Sequence, residues 1–258
     1  MTKTTLKSPN ASGHEVLAAA GKKYLRPGGR IGTEKLCEWA NFQPGETVLE
    51  LASSFGYSAI SLAQRYHVRV VGIEKNPDSV IRARENIRVA GLENQIDIIE
   101  GDIFHLDVIP NKFDYVVAEA ILTMQSTSGK AKLLRGIHNR LKPGGKFLSH
   151  ELLADNKEKI IASELSKVIR VNARPLSADN WITAFATAGL QVEKHQTGKI
   201  NLLNFQQMLQ DEGIMETMGI LWNIFTQPSI RQRVLEMRHV FHKYRQELGY
   251  IILCAVAQ

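Results

Sequence analysis

Short apolar runs recur along the first two thirds of the chain, and they restrict its fold more tightly than any other feature. They are Thr47–Leu51 (TVLEL), Val68–Ile73 (VRVVGI), Ile96–Glu100 (IDIIE), Phe113–Ala118 and Lys146–Leu152. A strand with one wet face alternates apolar and polar residues. Runs this continuously apolar are buried on both faces, as in a parallel sheet covered by helices. The segments between them read as those helices. Tyr57–Tyr66 carries Ile60, Leu62 and Ala63, Pro77 opens a helix to about Ala90 that Gly91 stops, and Lys130–Leu141 supplies another. Strand and helix alternate, so the chain is predicted to be α/β and doubly wound.

The flanks extend this pattern. A helix is expected over Thr33–Trp39, ended by the Gln43-Pro-Gly45 turn. Beyond the fifth strand come a helix near Asp155–Arg170, the loop Ala173–Ser177, and a helix over Ala178–Ala188 with Ser177 as its N-cap. Leu190–His195 and Tyr250–Val256 read as strands six and seven, the last one antiparallel. Residues 201–247 are too long for a loop and have Pro228 at a helix start, so they read as an inserted helical cap. The predicted organisation is one domain from 1–200 and 248–258, opening with an N-terminal helical segment and interrupted by that cap. Met208, Met215, Met218, Trp222 and Phe225 recur at helical spacing, which predicts core packing with part of the stripe facing a cavity under the cap.

Composition closes off other classes. With 258 residues, 44% apolar and 22% charged, the chain has enough apolar matter for a large core, and disorder is excluded as its main state. No apolar run approaches the ~18 residues of a membrane span. MTKTTLKSPN lacks the apolar stretch of a secretory leader. Cys37 and Cys254 stand alone with no CxxC spacing, which argues against a disulfide scaffold or cysteine-rich zinc site and predicts a reducing, cytoplasmic location. The net charge of +6 suggests an anionic partner only as a total. Residues 1–30 hold six Lys or Arg against Glu15 alone, and residues 228–247 hold five against two; the remainder is slightly acidic. The excess therefore belongs to the two segments expected to flank the mouth of a site.

The chemistry gathers where strands end. Val48-Leu-Glu-Leu-Ala-Ser-Ser-Phe-Gly-Tyr-Ser58 takes a buried strand through Glu50 to the small residues Ala52, Ser53 and Ser54, and then Gly56 before a helix. Small residues admit close backbone approach, and the helix start offers free N–H groups. Glu74 ends the second strand, followed by Lys75 and Asn76, where a carboxylate can accept both hydroxyls of a ribose. Asp102, followed by Ile103, lies just past the third, where it can accept from an exocyclic amine such as adenine N6. Three acids at the C-terminal ends of three neighbouring parallel strands mark the ligand-binding edge of an open α/β sheet.

This set resembles the class I S-adenosylmethionine-dependent methyltransferases. Glu50–Gly56 is similar to that family's first motif, Glu74 to its ribose-binding acid, and Asp102-Ile103 to its adenine-binding pair. Phe113–Glu119 resembles its fourth-strand motif, and Leu141-Lys-Pro-Gly-Gly-Lys-Phe-Leu148 its turn into strand five. The resemblance implies a Rossmann-like, seven-stranded fold and S-adenosylmethionine as methyl donor, leaving as S-adenosylhomocysteine, with no metal. It implies cofactor contacts from Glu50, Ala52, Ser53, Ser54, Gly56, Glu74, Lys75, Asn76, Asp102, Ile103 and Glu119. In related enzymes the N-terminal segment folds over the donor's methionine end, which brings in Arg26, Gly29 and Arg30, with Gly29 the expected contact. One departure is plain: Ala52 and Ser54 stand where the family usually has Gly.

Methyl transfer from a sulfonium is an in-line displacement, so alignment and exclusion of water come first. A base is needed only when the acceptor loses a proton; Glu119 after strand four and His150 and Glu151 at the end of strand five are the candidates, with Glu119 read as a wall of the donor pocket and a structural histidine as the other reading of His150. His105, Met124 and Gln125 are further rim candidates. His239 and His242 have no evident third metal ligand and read as a solvated helix face. A nicotinamide dehydrogenase would need the GxGxxG cradle, and two of those three positions are not Gly. The leading expectation is a small-molecule methyltransferase, monomeric or homodimeric, with no membrane partner. RNA or protein methylation and a non-catalytic donor-binding protein are the alternatives. Glu119-Ala-Ile-Leu122 lacks the Asn/Asp-Pro-Pro-aromatic loop of base N-methylation, which argues against a nucleic-acid substrate.

Overall fold

The first strand, β1 (Thr47–Leu51), lies inside a sheet that grows in both directions from it. β2 (Arg69–Glu74) and β3 (Ile96–Glu100) extend one side; β4 (Phe113–Glu119) and β5 (Leu141–Ala154) extend the other. β6 (Leu190–Lys199) and β7 (Leu248–Ala257) complete seven strands in the order β3-β2-β1-β4-β5-β7-β6. The first five strands pair in parallel, and β7 runs antiparallel between β5 and β6. The computed structural model describes residues 11–200 and 204–258. The seven strands, their antiparallel closure and the surrounding helices are the Rossmann-like arrangement implied by the sequence.

Helices cover both faces because adjacent strand residues point to opposite sides. Val48, Val70 and Ile98 face α2 (Gly29–Ala40), α3 (Tyr57–Tyr66) and α4 (Pro77–Val89), which contribute Leu36, Leu62, Val80 and Ile87. Leu49, Ile73 and Phe147 face the other way, against Leu133, Leu134 and Ile137 of α5 (Thr127–Arg140) and Trp181 and Phe185 of α7 (Ala178–Thr187). A third core joins α1 (Gly13–Ala20), α6 (Glu158–Ile169) and the cap helices α8 (Phe205–Glu212), α9 (Ile214–Thr226) and α10 (Pro228–Lys243) to the ends of β5 and β7.

Several boundaries move for identifiable reasons. α2 starts at Gly29 rather than Thr33, because the Pro-Gly-Gly turn itself enters the helix. β5 starts at Leu141 rather than Lys146; its register with β4 shifts between Phe113 and Tyr115, so Lys-Pro-Gly-Gly is an irregularity within a longer strand. β6 continues from His195 to Lys199 beside β7. The methionine and aromatic stripe is the clear correction. Met208 packs in the third core, whereas Met215, Met218, Trp222 and Phe225 are 58–80% exposed. α9 turns Thr217 and Ile220 inward instead, so one helical period carries two apolar faces and the sequence does not say which is buried.

Candidate active site

The strand order reverses between β1 and β4, the place where open α/β sheets bind ligands, and the predicted acids stand at or near the C-terminal strand ends there. Glu50 and Gly72 are partners across β1 and β2, Glu74 and Glu100 across β2 and β3, and Glu119 and His150 across β4 and β5. The loop from β1 turns sharply: Ala52 has φ 55°, Ser54 49° and Gly56 77°. Ala52 and Ser54 thus adopt the left-handed conformation that the absent glycines would take freely, which costs an L-residue about 1–2 kcal/mol. Compensation comes from Glu74, whose Oε2 accepts the Ser54 N–H at 2.9 Å while Oε1 accepts the Asn76 N–H at 2.8 Å. Ser53 donates its N–H to the Ile73 carbonyl at 3.1 Å. Gly72 makes this contact feasible, since a β-carbon there would collide with Ser53 Oγ and Ile98.

Asp102 receives Lys75 Nζ at 2.8 Å and the Phe104 N–H at 3.0 Å, and these donors hold its carboxyl below the usual carboxylate range. Ile103 packs against the core beside it. Asn76 caps α4 by accepting the Ser79 N–H. Glu50 is buried, with Oε2 lacking any partner, and burial pushes its carboxyl up to about 7 against the opposing pull of Ser53 and Arg26. An orphaned buried acceptor beside a left-handed loop is a fit for a ligand that brings a donor or a positive charge, and the sulfonium donor's ammonium qualifies.

Beside these residues runs the segment Lys22–Arg30, a strap tied to the cap at both ends and to β4, α2 and α3 in its middle. Arg26 Nε lies 2.7 Å from Glu119 Oε2, its Nη1 donates to Thr33 Oγ1 at 3.1 Å, and its Nη2 donates to Ser58 at the start of α3. Thr33 donates in turn to Glu119 Oε1 at 2.5 Å. Burial alone would raise Glu119, but Arg26, His150 and Thr33 outweigh it and hold the carboxyl below its ordinary value.

His150 and Glu151, the expected bases, have structural tasks. His150 is fully buried; its Nε2 accepts the Gly28 N–H at 2.9 Å, which leaves the ring proton on Nδ1, 3.5 Å from Glu119. β-Carbons on Gly28 or Gly32 would lie within 2.8 and 2.7 Å of this ring, so α2 closes directly over it. Glu151, also fully buried, accepts the N–H groups of Ile121, Leu122 and Thr123 and the Thr123 hydroxyl at 2.6–3.2 Å. Four donors occupy both oxygens, so Glu151 pins the loop after β4 and is not placed to take a substrate proton. Gly29 lies against the cap, where a β-carbon would come within 2.5 Å of Asp211. Arg30 is half exposed and pairs with Glu34. His105 is exposed, Met124 packs toward the cap core, and Gln125 donates to the Ile121 carbonyl. His239 and His242 are exposed, and among the described residues no group of three or more His, Cys, Asp or Glu could hold a metal ion.

Sequence reasoning missed Thr33, Ser58, Asp211 and Glu212. The doubled glycine at 28–29 was the available signal, because it marks a helix start that two neighbours approach closely.

Residues 42–213 match a family described as a methyltransferase domain. An uncharacterized protein of Haemophilus influenzae is 31% identical over 244 residues, covering 94% of this chain and 97% of that one. Phosphoethanolamine N-methyltransferase 1 of Arabidopsis thaliana is 30% identical over 129 residues, covering 50% of this chain but only 25% of that protein. The crystal structure of a SAM-dependent methyltransferase from Thiobacillus denitrificans in complex with S-adenosyl-L-homocysteine superposes with a TM-score of 0.68 at 17% identity, covering 95% and 98% of the two chains. The chain thus spans nearly all of its Haemophilus relative and a quarter of the named plant enzyme.

Proposed function

The chain belongs to the class I S-adenosylmethionine-dependent methyltransferase family, and from that premise we propose that it methylates a small polar molecule held between the strand ends and the cap. When bound, the donor supplies a sulfonium methyl group open to in-line displacement. Glu74 would hold the ribose: each of its oxygens accepts one backbone N–H and keeps a lone pair. Asp102, with Ile103 as a wall, would hold the adenine edge. The unpartnered Glu50 oxygen would take the donor's ammonium, and Arg26, with two of its five N–H groups still free, would face its carboxylate. Lys75, Asn76, Ala52, Ser53, Ser54 and Gly56 shape this pocket.

The observation that supports this reading is that Glu50 and Glu74 both bear on one left-handed loop, with Asp102 tied to Lys75, the residue after Glu74. A small acceptor is favoured because His150 lies buried and Glu119 nearly so beside the strap, a depth a small molecule reaches more readily than a polymer. Lys22 Nζ, Asp211 Oδ2 and Thr217 Oγ1 are buried with unfilled hydrogen-bonding capacity, which favours a polar acceptor. His150 orients α2 through Gly28, and Glu151 fixes the loop beyond Glu119; alignment and exclusion of water then carry the catalysis. Two unpaired buried cysteines suit a cytoplasmic setting, and among the described residues no helix is long and apolar enough to cross a membrane.

The test is to supply methyl-labelled S-adenosylmethionine with separated metabolite, RNA and protein fractions from cells. Label in a metabolite supports the proposal. Label confined to RNA or protein overturns its acceptor class, and no turnover with any fraction overturns the catalytic reading.

A further inference from the structure

Two adjacent carboxylates of the cap grip the strap on either side of Arg26. Glu212 Oε1 accepts the Lys23 and Tyr24 N–H groups at 3.0 Å each, and Lys22 Nζ lies 3.5 Å from it with both side chains fully buried. Asp211, 3% exposed, accepts the Arg30 N–H at 2.7 Å, at the positive end of α2, and the Gln207 side chain at 2.9 Å. Lys22 and Arg30 each stand four residues from Arg26, so the cap holds both ends of the segment whose middle reaches Glu119, Thr33 and Ser58. Tyr24, Leu25 and Arg26 are only partly buried, with Leu25 resting against the third core. α8 itself is fixed, because Met208 packs in the core with Val16, Ile161 and Ile230.

We infer that Asp211 and Glu212 are positioning residues for the methyl donor: from the cap they set Arg26 at the methionine end of the donor site, so cap placement and donor affinity are one linked property. This rests on the proposed donor site and adds to it a dependence on two residues of the cap, Asp211 and Glu212.

The test measures S-adenosylhomocysteine binding by calorimetry for Asp211→Asn and for the paired variant Lys22→Met/Glu212→Gln, which avoids leaving a buried ammonium alone. Each is expected to raise Kd at least five-fold. Amide exchange should quicken over residues 22–30 and stay unchanged in β1–β3. Glu164→Gln, which breaks the cap's surface pair with Lys243, should leave Kd unaltered. In an Arg26→Gln background the cap variants should add nothing further, because they act through Arg26; a merely structural role would stay additive. If the wild type binds and the cap variants bind equally well, or their effects add in full without Arg26, this inference falls while the donor site stands. If the wild type binds no S-adenosylhomocysteine, both fall.

Discussion

Replacing Glu50 by Gln should stabilise the protein in alkaline solution and hardly at all in acid. Glu50 is buried with one oxygen unpartnered, and its carboxyl is pushed from the ordinary 4.5 to about 7. An acid whose folded value is raised favours folding while protonated, and that advantage is lost as pH rises from the unfolded value through the folded one. At 1.36 kcal/mol per pH unit, Glu50 costs roughly 1 kcal/mol at pH 5 and about 3 kcal/mol at pH 8. Gln keeps the shape without the charge. The stability difference between variant and wild type should therefore grow by about 2 kcal/mol between pH 5 and pH 8, whatever constant cost the amide brings. Urea denaturation at a series of pH values measures it. Donor binding should move the other way, with Glu50→Gln weakening S-adenosylhomocysteine most at pH 8, where the wild-type carboxylate is charged. A pH-independent stability difference would refute the account of Glu50 as a buried group strained by its own ionisation.

Ser54→Gly, at φ 49°, removes left-handed strain against a gain in unfolded-chain freedom, so it should stabilise by up to about 1 kcal/mol in a thermal melt. Gly72→Ala should push Ser53 out of place and weaken donor binding about ten-fold or more in the same titration, since the new β-carbon collides with Ser53 Oγ. Glu151→Ala should cost about 3 kcal/mol or more by leaving Ile121–Thr123 donors unpaired in the interior, whereas Trp222→Ser, at a 68% exposed position, should change stability by less than about 0.5 kcal/mol; urea denaturation separates the two.

The sheet was legible because burial on both faces leaves a one-dimensional trace. TVLEL and FDYVVAE, buried along nearly their whole length, admit few other structures, and the acids at such strand ends stand out against them. Glu50, Glu74 and Asp102 were readable for that reason, since a strand end is a local property. His150 and Glu151 were read as bases from their position at the end of β5, but their partners come from residues about 120 and 30 positions away, and those partners decide their roles. The strap was hidden on the same ground: Asp211 and Glu212 meet it about 180 positions from Lys22–Arg30. The outward face of α9 was misread because a period of 3.6 identifies a helix without choosing its buried side, and the inward Thr217 and Ile220 look less apolar than the exposed Trp222 and Phe225.

The most direct measurement of the central claim is calorimetric titration of the purified protein with S-adenosylhomocysteine, alongside NADH and the Glu74→Ala and Asp102→Ala variants. One-to-one binding of S-adenosylhomocysteine, no heat from NADH, and an affinity reduced ten-fold or more in each variant is the predicted result. Binding of NADH alone, or S-adenosylhomocysteine affinity unchanged when both carboxylates are removed, would contradict it.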